Sequence, residues 1–118
     1  MNSVSITGRV AREIELRYTE NGTAVTTFPL AVEDNYKGQD GKRPVNFIDV
    51  TCWKQKAEFV AAHLAKGNRA AVTGRLNQQK FTDKEGNNRS KIEVVADNVE
   101  PIDWANDKQE VAEEDVPW

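Results

Sequence analysis

A chain of 118 residues, 38% of them apolar, suits one domain around a single modest core plus a short appendage. With 30% charged residues and a mean hydropathy of -0.69, no stretch approaches the roughly 20 apolar residues of a membrane-spanning helix. Cys52 is the only cysteine and His63 the only histidine, which excludes an internal disulfide and leaves too few ligands for a zinc site.

The segment from Met1 to Ile6 enters an alternating pattern at once, with no charged region followed by an apolar one. A cytoplasmic protein without a cofactor or metal is therefore expected. Val4, Ile6, Gly8 and Val10 share one side of a first strand and Ser3, Ser5, Thr7 and Arg9 the other. A second strand, Ile14 to Tyr18, runs into Asn21-Gly22, a dipeptide that tolerates the positive φ of a tight turn. The third, Ala24 to Val32, returns antiparallel. Pro29 within it has no N–H for a ladder and is expected at an edge or bulge.

Residues 33 to 44 hold two glycines, a proline and many charges around Tyr36, and read as a long mobile loop. From Val45 to Trp53, Ile48, Val50 and Cys52 face one way while Val45, Phe47, Thr51 and Trp53 face the other, Asp49 with them. Ala57, Val60, Ala61 and Leu64 recur at helical spacing between Lys56 and Lys66, and Gly67 is placed to cap the C-terminus. Then Ala70, Val72, Gly74 and Leu76 alternate with Arg69, Thr73, Arg75, Asn77, Gln79 and Phe81. A polar turn from Thr82 to Ser90 precedes a last strand, Ile92 to Ala96, and Val99 to Ile102 close the domain. Short antiparallel strands with one inserted helix predict an all-β fold, a five-stranded OB-fold Greek-key barrel.

The net charge of -3 hides a split. Residues 103 to 118 hold six acids and one base; the other 15 basic and 13 acidic residues leave +2 on residues 1 to 102. The chain is accordingly divided into a barrel domain, 1–102, and a disordered acidic linker and tip, 103–118.

Tyr36, Phe47, Trp53 and Phe81 lie on the loop or on strand sides opposite the core positions. Lys54, Lys56, Arg75, Lys80, Arg89 and Lys91 flank them. Exposed rings stack bases of any identity while cations follow phosphates, so this set points to single-stranded nucleic acid. A face covered by a second sheet or a subunit contact remains the alternative.

The runs Asn2 to Val10, Leu16 to Val25, Trp53-Lys-Gln-Lys-Ala-Glu, Leu64-Ala-Lys-Gly-Asn, Val72 to Leu76, Lys80 to Asn87 and Val95 to Val99 resemble, in order and spacing, the blocks of bacterial single-stranded DNA-binding proteins. The resemblance implies an OB-fold homotetramer that binds single-stranded DNA without sequence preference in replication, recombination and repair. By position, Tyr36, Phe47, Trp53 and Phe81 match that family's base-stacking rings, with Tyr36 and the two phenylalanines where some members carry tryptophan. It also implies that Glu113, Glu114, Asp115, Val116, Pro117 and Trp118 form an acidic tip that docks on replication and repair proteins, Trp118 standing where phenylalanine usually ends the chain.

No glycine-rich phosphate loop with a following lysine and hydroxyl is present, and Glu113, Glu114 and Asp115 are adjacent rather than opposed, so no catalytic residue is expected. His63 reads as a solvated helix residue, Cys52 as a buried strand residue, and Asp49 as a strand-end partner of a lysine. An OB-type primosome adaptor or an RNA-binding module is the competing reading.

Overall fold

The computed structural model describes residues 1–103. Its elements are β1 (Val4–Val10), β2 (Arg17–Tyr18), β3 (Ala24–Glu33), β4 (Val45–Trp53), α1 (Gln55–His63), β5 (Arg69–Thr82) and β6 (Asn88–Pro101). The strands lie in the order β1-β5-β6-β4-β3-β2, and β1 also pairs with β3 through Arg9 with Ala31 and Val10 with Leu30. That second pairing closes the five long strands on themselves. All ladders are antiparallel except β4 with β6, where Val50 meets Val94 and Thr51 meets Val95. One closed sheet with Greek-key order and a helix between β4 and β5 is the OB-fold the alternation predicts.

Closure requires close backbone approach. A Cβ on Gly8 would stand 2.3 Å from the Ala31 carbonyl oxygen, so only glycine lets β1 pass across β3. Inside, Phe28, Leu30, Val50, Val60, Val72 and Val94 are fully buried, with Ala57 and Val60 of α1 plugging one end of the barrel. The alternation of β3 is complete from Ala24 to Leu30, every even residue buried.

Pro29 sits at a local edge. Its carbonyl accepts from the Ala11 N–H at 2.9 Å, and its nitrogen points to the same side, between the stretches of β3 that pair with β2 and with β1.

Three boundaries differ from expectation. Strand pairing on the second segment is confined to Arg17 and Tyr18, although Ile14 and Leu16 do pack on the core; alternation reports burial of side chains, not a ladder partner. The helix stops at His63, because Leu64 turns extended (φ -118°, ψ 142°) and drops its side chain into the core. Gly67, at φ +93°, belongs to the next turn rather than to the helix cap, its N–H donating to the Val10 carbonyl. Finally, β5 and β6 are each 14 residues long, so the turn between them shrinks to Asp83–Asn87. There Asp83 accepts from the N–H groups of Glu85 and Asn87 and from Arg89 Nε at 2.9 Å.

Candidate nucleic-acid interface

Residues paired across a ladder point to the same face of a sheet, so the register maps the outside of the barrel row by row. Arg17, Val25 and Trp53 form one row, Thr27 and Thr51 the next, then Pro29 and Asp49, then Ala31 and Phe47. On the neighbouring hairpin the same face carries Arg75 with Val95, Asn77 with Glu93, Gln79 with Lys91 and Phe81 with Arg89. Phe47, Trp53, Phe81 and Arg75, named from alternation alone, thus share one outer face. The rings keep much of their surface in water: 68% for Phe47, 48% for Phe81 and 42% for Trp53. Six residues of extended chain, about 20 Å, separate Phe47 from Trp53 along β4.

Trp53 lies at the foot of α1, beside Lys54, Lys56, Arg75 and Asp97 in a cleft of about 620 Å³. The chain turns there through Lys54, the one non-glycine residue with positive φ among those described (φ 59°, ψ -128°). Its N–H donates to the Ala24 carbonyl at 2.7 Å, which holds the turn closed against the cost of a conformation that disfavours a side chain. Arg75 reaches Asp97 at 3.6 Å, and both groups stay exposed.

At the other end of β4, Tyr36 is 63% exposed on the connection from β3. That loop is internally bonded: Asp34 N–H to the Pro44 carbonyl, Gly38 N–H to that of Lys42, and Arg43 Nη1 to the carbonyls of Asp34 and Asn35. Lys80 falls on the opposite side of β5 from Phe81, opposite Ser90, and both residues line the cleft at the hairpin tip. Of the cations named from sequence, it is the one that parity turns away from the rings.

Between Phe47 and Trp53 the face is polar. Thr51 is 2% exposed although its side chain points outward, because Thr27 and Glu93 cover it. Thr51 donates to Glu93, whose second carboxylate oxygen accepts from Asn77 Nδ2 at 3.1 Å and Gln79 Nε2 at 2.8 Å. Asp49 lies mid-strand rather than at an end, and it does pair with a lysine, Lys91, at 3.5 Å. Sequence reading missed Arg12 and Arg17. The Asn21-Gly22 signal implied the hairpin that puts Arg17 in the row of Trp53, but only the register fixes which side it takes.

Cys52 is fully buried, and burial pushes its thiol up to about 12 against the opposing pull of the nearby Lys56 ammonium. His63 packs on Phe59 with ring centroids 4.8 Å apart, so it is less solvated than helical spacing suggested. At the domain's end Asp103 accepts from Arg69 Nε at 3.1 Å and Nη2 at 3.2 Å, which holds its carboxyl below the usual carboxylate range. Glu113, Glu114, Asp115, Val116, Pro117 and Trp118 lie outside the described residues.

A closed OB barrel with solvent-facing rings and cations on one outer face defines a binding protein rather than a catalyst. The chain belongs to the Single-strand binding protein family, whose profile matches residues 1–102. It is 40% identical over 103 residues to a single-stranded DNA-binding protein of Streptococcus mutans, an alignment covering 87% of this chain and 63% of that protein. It is 36% identical over 110 residues to single-stranded DNA-binding protein 3 of Streptococcus agalactiae, covering 93% and 80%, and 42% identical over 99 residues to a counterpart from Caldanaerobacter subterraneus, covering 84% and 66%. The matched part thus spans less than two thirds of the first of these relatives.

Proposed function

We propose that the protein binds single-stranded DNA without sequence preference, coating it during replication, recombination and repair in the bacterial cytoplasm. The observation that carries this reading is the row map: Phe47, Trp53 and Phe81 stand exposed on the face that also bears Arg75, Lys91 and Arg89. Each ring offers a surface on which any base stacks, and the cations follow the backbone. Tyr36, Lys54 and Lys56 extend this surface at its two ends, and Lys80 serves at the hairpin tip. Residues 1–102 act as the binding domain and assemble as a homotetramer. Residues 103–118 act as a linker and docking tip for replication and repair proteins, through Glu113, Glu114, Asp115, Val116, Pro117 and Trp118. The names of the relatives support the DNA reading over an RNA-binding or primosome-adaptor role.

Titration with oligo(dT) tests it. Tryptophan fluorescence is expected to quench strongly, to lose most of that quenching in Trp53→Phe, and to require more DNA as salt rises because counterions are released. An absence of quenching and of any anisotropy change with labelled oligo(dT) at low salt refutes the reading. Tighter binding of oligo(U) than of oligo(dT) favours RNA. Light scattering on the purified protein tests the tetramer.

A further inference from the structure

A cleft of about 370 Å³ opens on the outer face between the rows of Trp53 and Phe47. Three cations border it, Arg12, Arg17 and Lys91, together with two carboxylates, Asp49 and Glu93. They are not equivalent. Glu93 is 3% exposed and saturated by Thr51, Asn77 and Gln79, so it is a fixed part of the floor. Asp49 keeps 40% of its side chain in water, its one ion pair among the described residues is the 3.5 Å contact with Lys91, and no described hydrogen bond anchors it. Arg12 is tethered by a 3.4 Å bond from Nη2 to the Thr27 carbonyl, which fixes it at the rim. Arg17 is held by register beside Val25, whose other neighbour is Trp53. The cleft therefore has one net positive charge, a rigid floor and a displaceable anion on its central cation.

We propose that this cleft seats a backbone phosphate of the bound strand between the bases stacked on Trp53 and Phe47, and that Asp49 is the internal anion the phosphate must displace from Lys91. The proposal rests on the DNA-binding reading above and deepens it by assigning Arg12, Arg17 and Lys91 as phosphate ligands and Asp49 as the residue that attenuates affinity. A strand lying on both rings crosses this cleft, because Asp49 and Thr51 are the outward residues between them on β4. The charge is matched to its ligand: one phosphate neutralises the net positive charge, whereas removing Asp49 leaves an extra cation in reserve.

The test is anisotropy of labelled oligo(dT) with the full chain across a salt series, using wild type, Arg12→Ala, Arg17→Ala, Asp49→Asn and a charge-matched control, Glu58→Gln on α1. Thermal melts check that each variant is folded. Each arginine variant is expected to flatten the slope of log affinity against log salt by about 0.7, the value of one single-strand phosphate contact. Asp49→Asn is expected to tighten low-salt binding about two- to fivefold, as loss of an exposed ion pair implies, while Glu58→Gln changes little. Unchanged slopes in both folded arginine variants, with wild type still binding, overturn the cleft and leave the general reading standing. Equal tightening by Glu58→Gln assigns the effect to net charge and overturns the role of Asp49. A wild type that fails to bind refutes the DNA-binding reading itself.

Discussion

Thr51 of β4 donates its hydroxyl to Glu93 of β6 across the one parallel seam of the barrel. Main-chain pairing there covers only two residue pairs, so the side-chain bond reinforces a short ladder. The same carboxylate gathers Asn77 and Gln79 of β5, tying three strands together under the outer face.

Glu93→Ala is expected to lower stability by about 2–3 kcal/mol, because it removes a charged acceptor shared by Thr51, Asn77 and Gln79 and leaves the buried Thr51 hydroxyl only its bond with Thr27. Thr51→Val alone is expected to lower it less, and the double variant less than the sum, since the two residues share one bond. Urea unfolding of the four proteins at one protein concentration measures this coupling; additive losses would separate the two residues energetically.

Trp53→Ala, Phe47→Ala and Phe81→Ala are each expected to weaken oligo(dT) binding by about 1–3 kcal/mol, roughly 5- to 150-fold, with little effect on the melting temperature. Exposed rings contribute little to the core, so a variant that lost stability instead of affinity would mark a packing residue.

Lys54→Gly separates stability from binding. Glycine accepts the φ of 59° without its Cβ penalty, so stability is expected to rise by about 1 kcal/mol while low-salt DNA affinity falls with the lost cation. Melting temperature and anisotropy read the two effects, and a fall in both would show that the lysine side chain supports the turn.

The Asp103 carboxyl is depressed by the Arg69 guanidinium, so its contribution to stability is present above the ordinary aspartate value and is lost as pH falls through the depressed one. Asp103→Asn is accordingly expected to melt below wild type at neutral pH, with the gap closing in acid. A gap that persists in acid would assign the effect to the hydrogen bonds rather than to charge.

Cys52, with its thiol raised to about 12, is expected to resist alkylation at pH 8 and to react at once when the chain is unfolded in urea. Labelling of the native protein at the unfolded rate would place the thiol at the surface.

Much of this fold is legible in the sequence because burial alternates cleanly where a strand has one wet face. β1 and β3 show that pattern; β4 alternates in residue type but not in burial, because Thr51 is covered, and parity still brings Phe47 and Trp53 to one side. It fails where burial and hydrogen bonding part company: Ile14 and Leu16 pack inward without a ladder, and Leu64 leaves the helix because the core takes its side chain. The polar half of the site is less legible. Thr51 and Glu93 are local positions with nothing unusual about them; their burial arises from residues more than 40 positions apart meeting across the seam.

The ladder between β5 and β6 slips between Thr73 and Gly74: Thr73 faces Asn98 but Gly74 faces Ala96, leaving Asp97 unmatched. A Cβ on Gly74 would come within 2.1 Å of the Val95 carbonyl oxygen, so the slip is packed tight. One unmatched residue reverses the parity of everything before it on β6. Val99, odd-numbered, and Val94, even-numbered, can both point into the core only because of it. Asp97 therefore acts as a frameshift written in space. Without it Arg89, Lys91 and Glu93 would turn to the other side of β6 and the buried Val94 outward, and the outer face would lose its chemistry with no residue changed in kind.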